Sequence, residues 1–231
     1  AIGGGDSGLV EKRVAMIIQA IIPVKPFDQA KSRLAQALSP AQRAACSAWM
    51  LSNTLTCLRS VEGIEMVTVV SRDAAALAIA KQHGASALLE LTAGLNQALH
   101  QAAECTAPGA LLLVLPADLP LLTAQDLMAF VRLQKIQSDV ILAPDRHQQG
   151  SNALLVDANL NFHFCFGPSS FQKHQAEARR LGLRMCSASI FNLAFDLDTP
   201  EDLQYLWSLP SLPALLVAQL ECCGFLVPKK S

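Results

Sequence analysis

Residues 111–127 read "LLLVLPADLPLLTAQDL": an unbroken aliphatic run that ends in a lone carboxylate, Asp118, in a loop between Pro116 and Pro120. A run without apolar–polar alternation suits a strand buried on both faces, as in a parallel sheet covered by helices. The prolines stop the strand. Thr123, with Asp126 three residues on, then forms a capping box that opens a helix reaching Leu133. Strand, acid-bearing loop and helix make one β–α unit, with its carboxylate at the strand's carboxyl end, where open α/β sheets bind ligands.

The same rhythm extends in both directions. "MIIQAIIPV" (16–24) predicts a first strand, and Ser39–Pro40 opens a helix whose stripe is Ala44, Ala48, Leu51, Leu55 and Leu58. "MVTVVS" (66–71) is a strand, Ala74 to His83 a helix closed by Gly84, and 94–104 a further helix. Beyond the opening stretch, 139–144 and 152–156 are strands around a polar turn, and 169–182 is a helix closed by Gly182. "LAFDLDTPEDLQYL" reads as a short strand leading into a final helix with Pro200 in its first turn. The expectation is an α/β, Rossmann-like three-layer fold with a mostly parallel sheet and one antiparallel strand late in the order. No repeat or interdomain linker interrupts it.

Composition narrows the functions. The 231 residues fit one α/β domain, and a charged fraction of 16% against 52% hydrophobic residues argues against disorder. A net charge of −1 gives no basic excess for nucleic acid. Cysteines 46, 57, 105, 165, 186, 222 and 223 form no C-x-x-C pair and read as small buried hydrophobes in a reducing cytoplasm. Residues 1–15 are Gly-rich and polar, without a secretory apolar core, and read as a flexible or artificially appended leader to a domain spanning 16–207. The aliphatic extension 208–231 is too short and interrupted for a membrane span, so it is expected to pack on the domain or against a second copy in a homodimer.

Four polar clusters follow strands. Lys25, Lys31 and Arg33 follow the first; Asp118 follows 110–115; "DRHQQGSN" follows 139–144; Asp196 and Asp198 follow the last. On one rim, the cations suit a polyphosphate, and the separated carboxylates suit a divalent metal bridging its oxygens. Alone, each has a plainer reading: Asp118 could merely end its strand, Asp196 and Asp198 could favour a helix N-terminus, and the cations could be wetted surface. Gly167, Ser169 and Ser170 at a helix start could seat an anion or simply cap the helix.

Five segments in this order, "IPVKPFDQAKSRL", "LPADLPLL", "APDRHQQGSNALL", "FGPSSFQKHQAEARRLGL" and "FDLDTPEDL", resemble the guanylyltransferases of deazaflavin (coenzyme F-420) biosynthesis. These are the 2-phospho-L-lactate or phosphoenolpyruvate guanylyltransferases, CofC/FbiD-like. The resemblance covers roughly residues 16 to 207. It implies a GT-A-like nucleotidyltransferase fold and a cytoplasmic enzyme. Such an enzyme joins GTP to 2-phospho-L-lactate, phosphoenolpyruvate or 3-phosphoglycerate with Mg²⁺, releases pyrophosphate and hands its product to a downstream transferase. It implies Asp118 and Asp198, with Asp196, as metal ligands, and Lys25, Lys31 and Arg33 on the GTP phosphates. It also implies that Ser151, Gly167 and Ser170 hold the acceptor. Independently of the resemblance, Ser71 after strand 66–70 and Asn96 in "GLNQAL" stand where they could face the base or ribose, and Asn96 could equally be a structural helix residue. Position 151 is Ser where the family pattern has Thr, which removes a methyl wall from the acceptor pocket.

Two other readings stand beside this one. A nucleotidyltransferase of molybdenum-cofactor or sugar cytidylyl transfer would carry a Gly-rich first loop, and "VKPFDQAKSRL" has no glycine. A non-catalytic nucleotide-binding protein on the same fold would have no need of both Asp118 and Asp198.

Overall fold

The computed structural model describes residues 17–135 and 138–225. The leader, Met16 and the last residues of the tail lie outside them. Seven strands form one sheet: β1 (Ile18–Val24), β2 (Ile64–Ser71), β3 (Ser86–Leu89), β4 (Leu111–Val114), β5 (Val140–Pro144), β6 (Ser151–Asp157) and β7 (Met185–Ser187). Their spatial order is β3-β2-β1-β4-β6-β5-β7. All pairings are parallel except those of β6, which runs antiparallel to both β4 and β5. The helices are α1 (Pro40–Arg59), α2 (Ala74–Gln82), α3 (Leu95–Ala103), α4 (Ala124–Arg132), α5 (Ser170–Arg180), α6 (Phe191–Ala194), α7 (Pro200–Ser208) and α8 (Ala214–Cys222).

The layers follow from the two-residue period of a strand. Ile18, Ala20, Ile22, Leu111, Leu113, Ile141 and Leu155 face one side, where α1, α2 and α4 supply Leu51, Leu55, Ala76, Ala80, Leu127 and Phe130. Ile21, Leu112, Val114, Leu142 and Leu154 face the other, against Ala98 and Leu99 of α3 and Phe171 and Ala178 of α5. Because both faces are covered, the central strands can be aliphatic throughout. A third core joins Leu34 and Leu38, Cys46 and Met50 of α1, Phe195, Leu197, Leu206 of α7, and Leu216 and Leu220 of α8. The C-terminal extension therefore packs beside the loop that follows β1.

Local signals place most boundaries. Ser39 with Gln42, Thr123 with Asp126, and Thr199 with Asp202 each form a complete capping box. Pro40 and Pro200 sit in first turns, where a missing N–H costs no helical hydrogen bond.

Three expectations need correction. Residues 193–196 are not a strand: Phe191–Ala194 is a helical turn that buries Leu193, and extended backbone follows. The short strands β3 and β7 are additions at the two sheet edges. Only Cys46, Cys57 and Cys223 are buried; Cys105 and Cys222 are exposed, and all seven are free thiols. Among the described residues, no helix is long and apolar enough to cross a membrane.

Candidate active site

The parallel strands β1, β2, β3 and β4 point their carboxyl ends to one rim, and a cleft of about 600 Å³ opens there. Lys25, Lys31, Arg33, Asp118 and Asp198 all line it. Lys31 lies at the centre of this group. Its Nζ donates to Asp198 Oδ1 at 2.7 Å and to Asp118 Oδ2 at 3.2 Å. Two aspartates eighty positions apart in the chain thus share one ammonium group. A backbone bond reinforces the meeting, since the Leu197 N–H donates to the Asp118 carbonyl at 3.2 Å.

The loop after β1 is shaped to deliver Lys31. Lys31 adopts φ 53° and ψ 35°, a left-handed conformation that costs a non-glycine residue about 1–2 kcal/mol. The Asp73 carboxylate holds the loop's near end: Oδ2 accepts from the Phe27 N–H at 2.6 Å, and Oδ1 caps α2 through the Ala75 N–H at 2.8 Å. Leu34 anchors the far end in the third core.

The electrostatics follow from burial and proximity. The Lys31 side chain is 5% exposed; burial works against its charge, but Asp118 and Asp198 outweigh this and hold its pKa above the ordinary lysine value. Burial pushes the Asp198 carboxyl up, yet Lys31, then Arg33 and Lys25, prevail and hold it below the usual range. Asp196 has no such cation. Burial first, then the charges of Asp118 and Asp198, push it up to about 6, and the Asn152 amide donates to it at 3.4 Å.

The Asp198 loop has its own supports. Asp202 Oδ2 accepts from the N–H groups of Asp198 at 2.8 Å and Thr199 at 2.7 Å, while its Oδ1 accepts from Arg146. The Arg146 guanidinium also lies 5.2 Å from the centre of the Phe195 ring and 5.0 Å from that of Tyr205. Arg146, in the polar turn after β5, thus braces Asp198 through Asp202.

The other expected site residues are placed differently. Ser71 is fully buried, and its hydroxyl accepts from the Asp73 N–H at 3.0 Å. Asn96 clasps the Phe166 backbone, donating to its carbonyl at 3.1 Å and accepting from its N–H at 2.9 Å. Neither lines the cleft. The structure turns both side chains to the scaffold: Ser71 steadies Asp73, and Asn96 fixes Phe166, which does line the cleft.

Ser151, Gly167 and Ser170 also fall outside the residues lining the cleft, though Phe166 and Asn152, their chain neighbours, touch it or Asp196. Ser170, nearly fully buried, opens α5, and its N–H donates to the Gly167 carbonyl at 3.0 Å. Gly167 has φ 117°, a value that favours glycine. Ser169 stands at the helix N-cap with no side-chain capping bond. Ser151 pairs with buried His174, whose Nδ1 is 2.9 Å from its Oγ. The Cys165 N–H donates to Nε2 of the same ring at 2.9 Å, so the imidazole proton sits on Nδ1 and points to Ser151. The Ser151 hydroxyl proton is then left to donate elsewhere. The N–H groups of His147, Gln149 and Gly150 are all taken by the Asp145 carboxylate.

Sequence reasoning does not single out Asp73, Arg146 and Asp202, nor two further cleft residues, Arg72 and Glu90. Arg72 carries a usable signal, since it directly follows β2. Glu90 follows β3, whose four residues carry none.

An Asp pair supplies hard oxygen ligands of the kind Mg²⁺ prefers, and that ion is commonly held by one or two carboxylates plus substrate phosphates. Asp118 and Asp198 fit this pattern. Lys31 engages one oxygen of each, and both side chains keep substantial exposure to the cleft, 30% and 40%.

The profile of the family described as "Guanylyl transferase CofC like" matches residues 18–208. A phosphoenolpyruvate guanylyltransferase of Roseiflexus castenholzii is 40% identical over 195 residues, 84% of this chain and 90% of the relative. A 2-phospho-L-lactate guanylyltransferase of Methanocaldococcus jannaschii is 33% identical over 187 residues, 80% of each. A cytidylyltransferase structure from Leptospira borgpetersenii superposes with a TM-score of 0.58 over 90% of this chain and 94% of that one. At 15% identity it shows the shared nucleotidyltransferase-type fold alone. With the family profile spanning every strand of the sheet and the cleft's acids and cations, this chain belongs to the CofC-like guanylyl transferase family.

Proposed function

We propose that the chain transfers the guanylyl group of GTP to a small phosphorylated carboxylic acid, releasing pyrophosphate. The acceptor is phosphoenolpyruvate, 2-phospho-L-lactate or 3-phosphoglycerate, and the setting is cytoplasmic coenzyme F-420 biosynthesis, where a downstream transferase takes the product. The observation that carries the reading is Lys31 between Asp118 and Asp198 in a cleft also lined by Lys25 and Arg33.

In this reaction an oxygen of the acceptor's phosphate attacks the α-phosphorus of GTP. A new P–O bond forms, the bond to the β-phosphate bridging oxygen breaks, and pyrophosphate leaves with that electron pair. The acceptor phosphate has its second pKa near ~6 and arrives ionised, so no side chain need remove a proton. Asp118 and Asp198, with Asp196 behind them, would hold Mg²⁺, which when bound neutralises phosphate charge and orients the reacting oxygens. Lys31 keeps the two carboxylates together before substrate arrives. Lys25 and Arg33 offset the charge that grows on the leaving pyrophosphate. The acceptor would lie toward Ser151, Gly167 and Ser170, where Ser151 retains a hydroxyl proton to donate.

The test is direct. Protein, Mg²⁺ and GTP are mixed with each acid in turn, pyrophosphate is quantified and the nucleotide product is weighed by mass spectrometry. The reading predicts an acid-dependent diphosphate-linked guanosine adduct. Absence of pyrophosphate from GTP with all three acids, when CTP or ATP supports release, would replace it with another nucleotidyl transfer.

A further inference from the structure

Five charged side chains of the cleft gather over β1 and β4. The other two, Arg72 and Glu90, lie at the far end, where β2 and β3 finish. From β4 to β3 is three strand steps, about 14 Å at ordinary sheet spacing, comparable to the length of an extended nucleoside triphosphate. Between the two charged ends the wall is apolar: Val24, Val70, Leu95 and Ala98 line it. A triphosphate over Lys25, Lys31 and Arg33 therefore lays its ribose and base along this wall toward Glu90.

Glu90 is built to present a carboxylate there. Its side chain is 9% exposed, against 45% for Arg72. Oε1 accepts from the Gly94 N–H at 3.0 Å, and Oε2 accepts from Arg72 Nε at 3.2 Å. These two bonds fix the carboxylate's plane and leave about half of its roughly four acceptor positions for a ligand. No third protein donor to it is found among the described residues, so the burial is only partly compensated from within the chain.

The chemistry at this end selects one base. Guanine alone among the common bases offers two adjacent donors, N1–H and the 2-amino group, on one edge, and a carboxylate accepts both. Adenine and cytosine place a ring acceptor at the matching position, and uracil flanks its single donor with two carbonyls, which a carboxylate repels. Arg72 beside Glu90 can serve guanine's O6 and N7, the pair that arginine matches elsewhere.

We propose that Glu90, oriented by Gly94 and Arg72, reads the guanine of the bound nucleotide through N1–H and the 2-amino group. The inference rests on the guanylyltransferase reading above, but equilibrium binding tests it without requiring turnover. Calorimetry would compare GTP, ITP, which lacks the 2-amino group, and XTP, which carries a carbonyl there, on the wild type and on Glu90→Gln.

The wild type should prefer GTP to ITP by about 10-fold or more, the value of one hydrogen bond to a charged acceptor. Glu90→Gln should weaken GTP by about 10- to 100-fold, bring GTP and ITP close to parity, and strengthen XTP, whose 2-carbonyl accepts from the new amide. A gain for XTP cannot arise from poor folding. Unchanged GTP/ITP and XTP affinities in Glu90→Gln overturn the assignment, as does a wild type that binds GTP and ITP alike or binds neither. Pyrophosphate release by the wild type is scored separately. Its presence alongside an indifferent Glu90→Gln discards Glu90 and keeps the guanylyltransferase; its absence with every acid discards the guanylyltransferase while binding still decides Glu90.

Discussion

Replacing Lys31 by methionine removes the cation between Asp118 and Asp198 and keeps most of the stem's volume. Its cost can be bracketed from exposure. Exposed ion pairs contribute about 0.2–1 kcal/mol, whereas removing one partner of a wholly buried pair costs about 3–5 kcal/mol. Lys31 is 5% exposed but Asp198 40%, so solvent screens one side of the 2.7 Å contact and the pair falls between these limits. The coupling between Lys31 and Asp198 should be about 2 kcal/mol. The left-handed backbone at residue 31 is strained equally by lysine and methionine, so it cancels in a double-mutant cycle; a glycine variant would relieve it and confuse the result.

The sign with pH is determined as well. Lys31 holds the Asp198 carboxyl below its usual value, so its contribution is whole above the ordinary carboxylate range, begins to fall there, and is lost as pH drops on through the lower folded pKa. Urea denaturation of the wild type, Lys31→Met, Asp198→Asn and the double variant at pH 8 and in a descending series below pH 4 measures the coupling directly. A coupling within about 0.5 kcal/mol of zero at pH 8 would mean that these groups do not share a site in solution.

Other consequences follow from single contacts. Burial lowers the His174 pKa to about 4, so the folded imidazole stays neutral where the unfolded one protonates; its stabilisation is whole above about pH 6.5 and lost on descent toward 4. Asp196, raised to about 6, acts in the opposite sense, so the measurement is the difference between wild type and His174→Gln. Between pH 7.5 and 5 the wild type should lose about 2 kcal/mol more than the variant, and parallel profiles would contradict the buried neutral ring. Asp73→Ala should cost about 1 kcal/mol as a lost cap and raise the KM for GTP, whereas Asp73→Ser should restore stability without restoring KM. If KM for GTP is unmoved in both variants, the Phe27 contact does not organise the phosphate loop. Ser170→Ala should raise the acceptor's KM by about 3- to 10-fold and leave that of GTP nearly unchanged, and an unaltered acceptor KM moves the pocket elsewhere.

Much of this architecture is legible without coordinates. Aliphatic runs at β1 and β4, caps at Ser39 and Thr123, Pro200 in a first turn, and the stop at Gly84 are local signals with local causes. The meeting of Lys31 and Asp118 is also accessible, because β1 and β4 are parallel neighbours that turn their carboxyl ends to the same rim, whereas Asp198 arrives on extended backbone after α6 rather than on a strand. What escapes depends on side-chain direction and on very short pairings. β3 and β7 have four and three residues, too few to show a period. Ser71 shares its face of β2 with Val69, which packs into the core against α1 and α2, so the pleat turns its hydroxyl from the cleft to Asp73. Asn96 lies on the helix wall beside the cleft, yet its amide meets the Phe166 backbone, a contact seventy residues away that no local pattern records. The segment before Asp196 has the apolar residues of a strand, but it curls into α6 before extending to meet the Asp118 loop.

The central claim is that Asp118 and Asp198 act together on a metal-bound triphosphate. Its most direct test is pyrophosphate release by Asp118→Asn and Asp198→Asn at saturating GTP, Mg²⁺ and acceptor, with folding checked by thermal denaturation. Each variant should fold cooperatively and lose about 100-fold or more in kcat, since under the proposed mechanism each removes a carboxylate that would hold the charge-neutralising ion. Near-normal turnover by either variant would contradict the account.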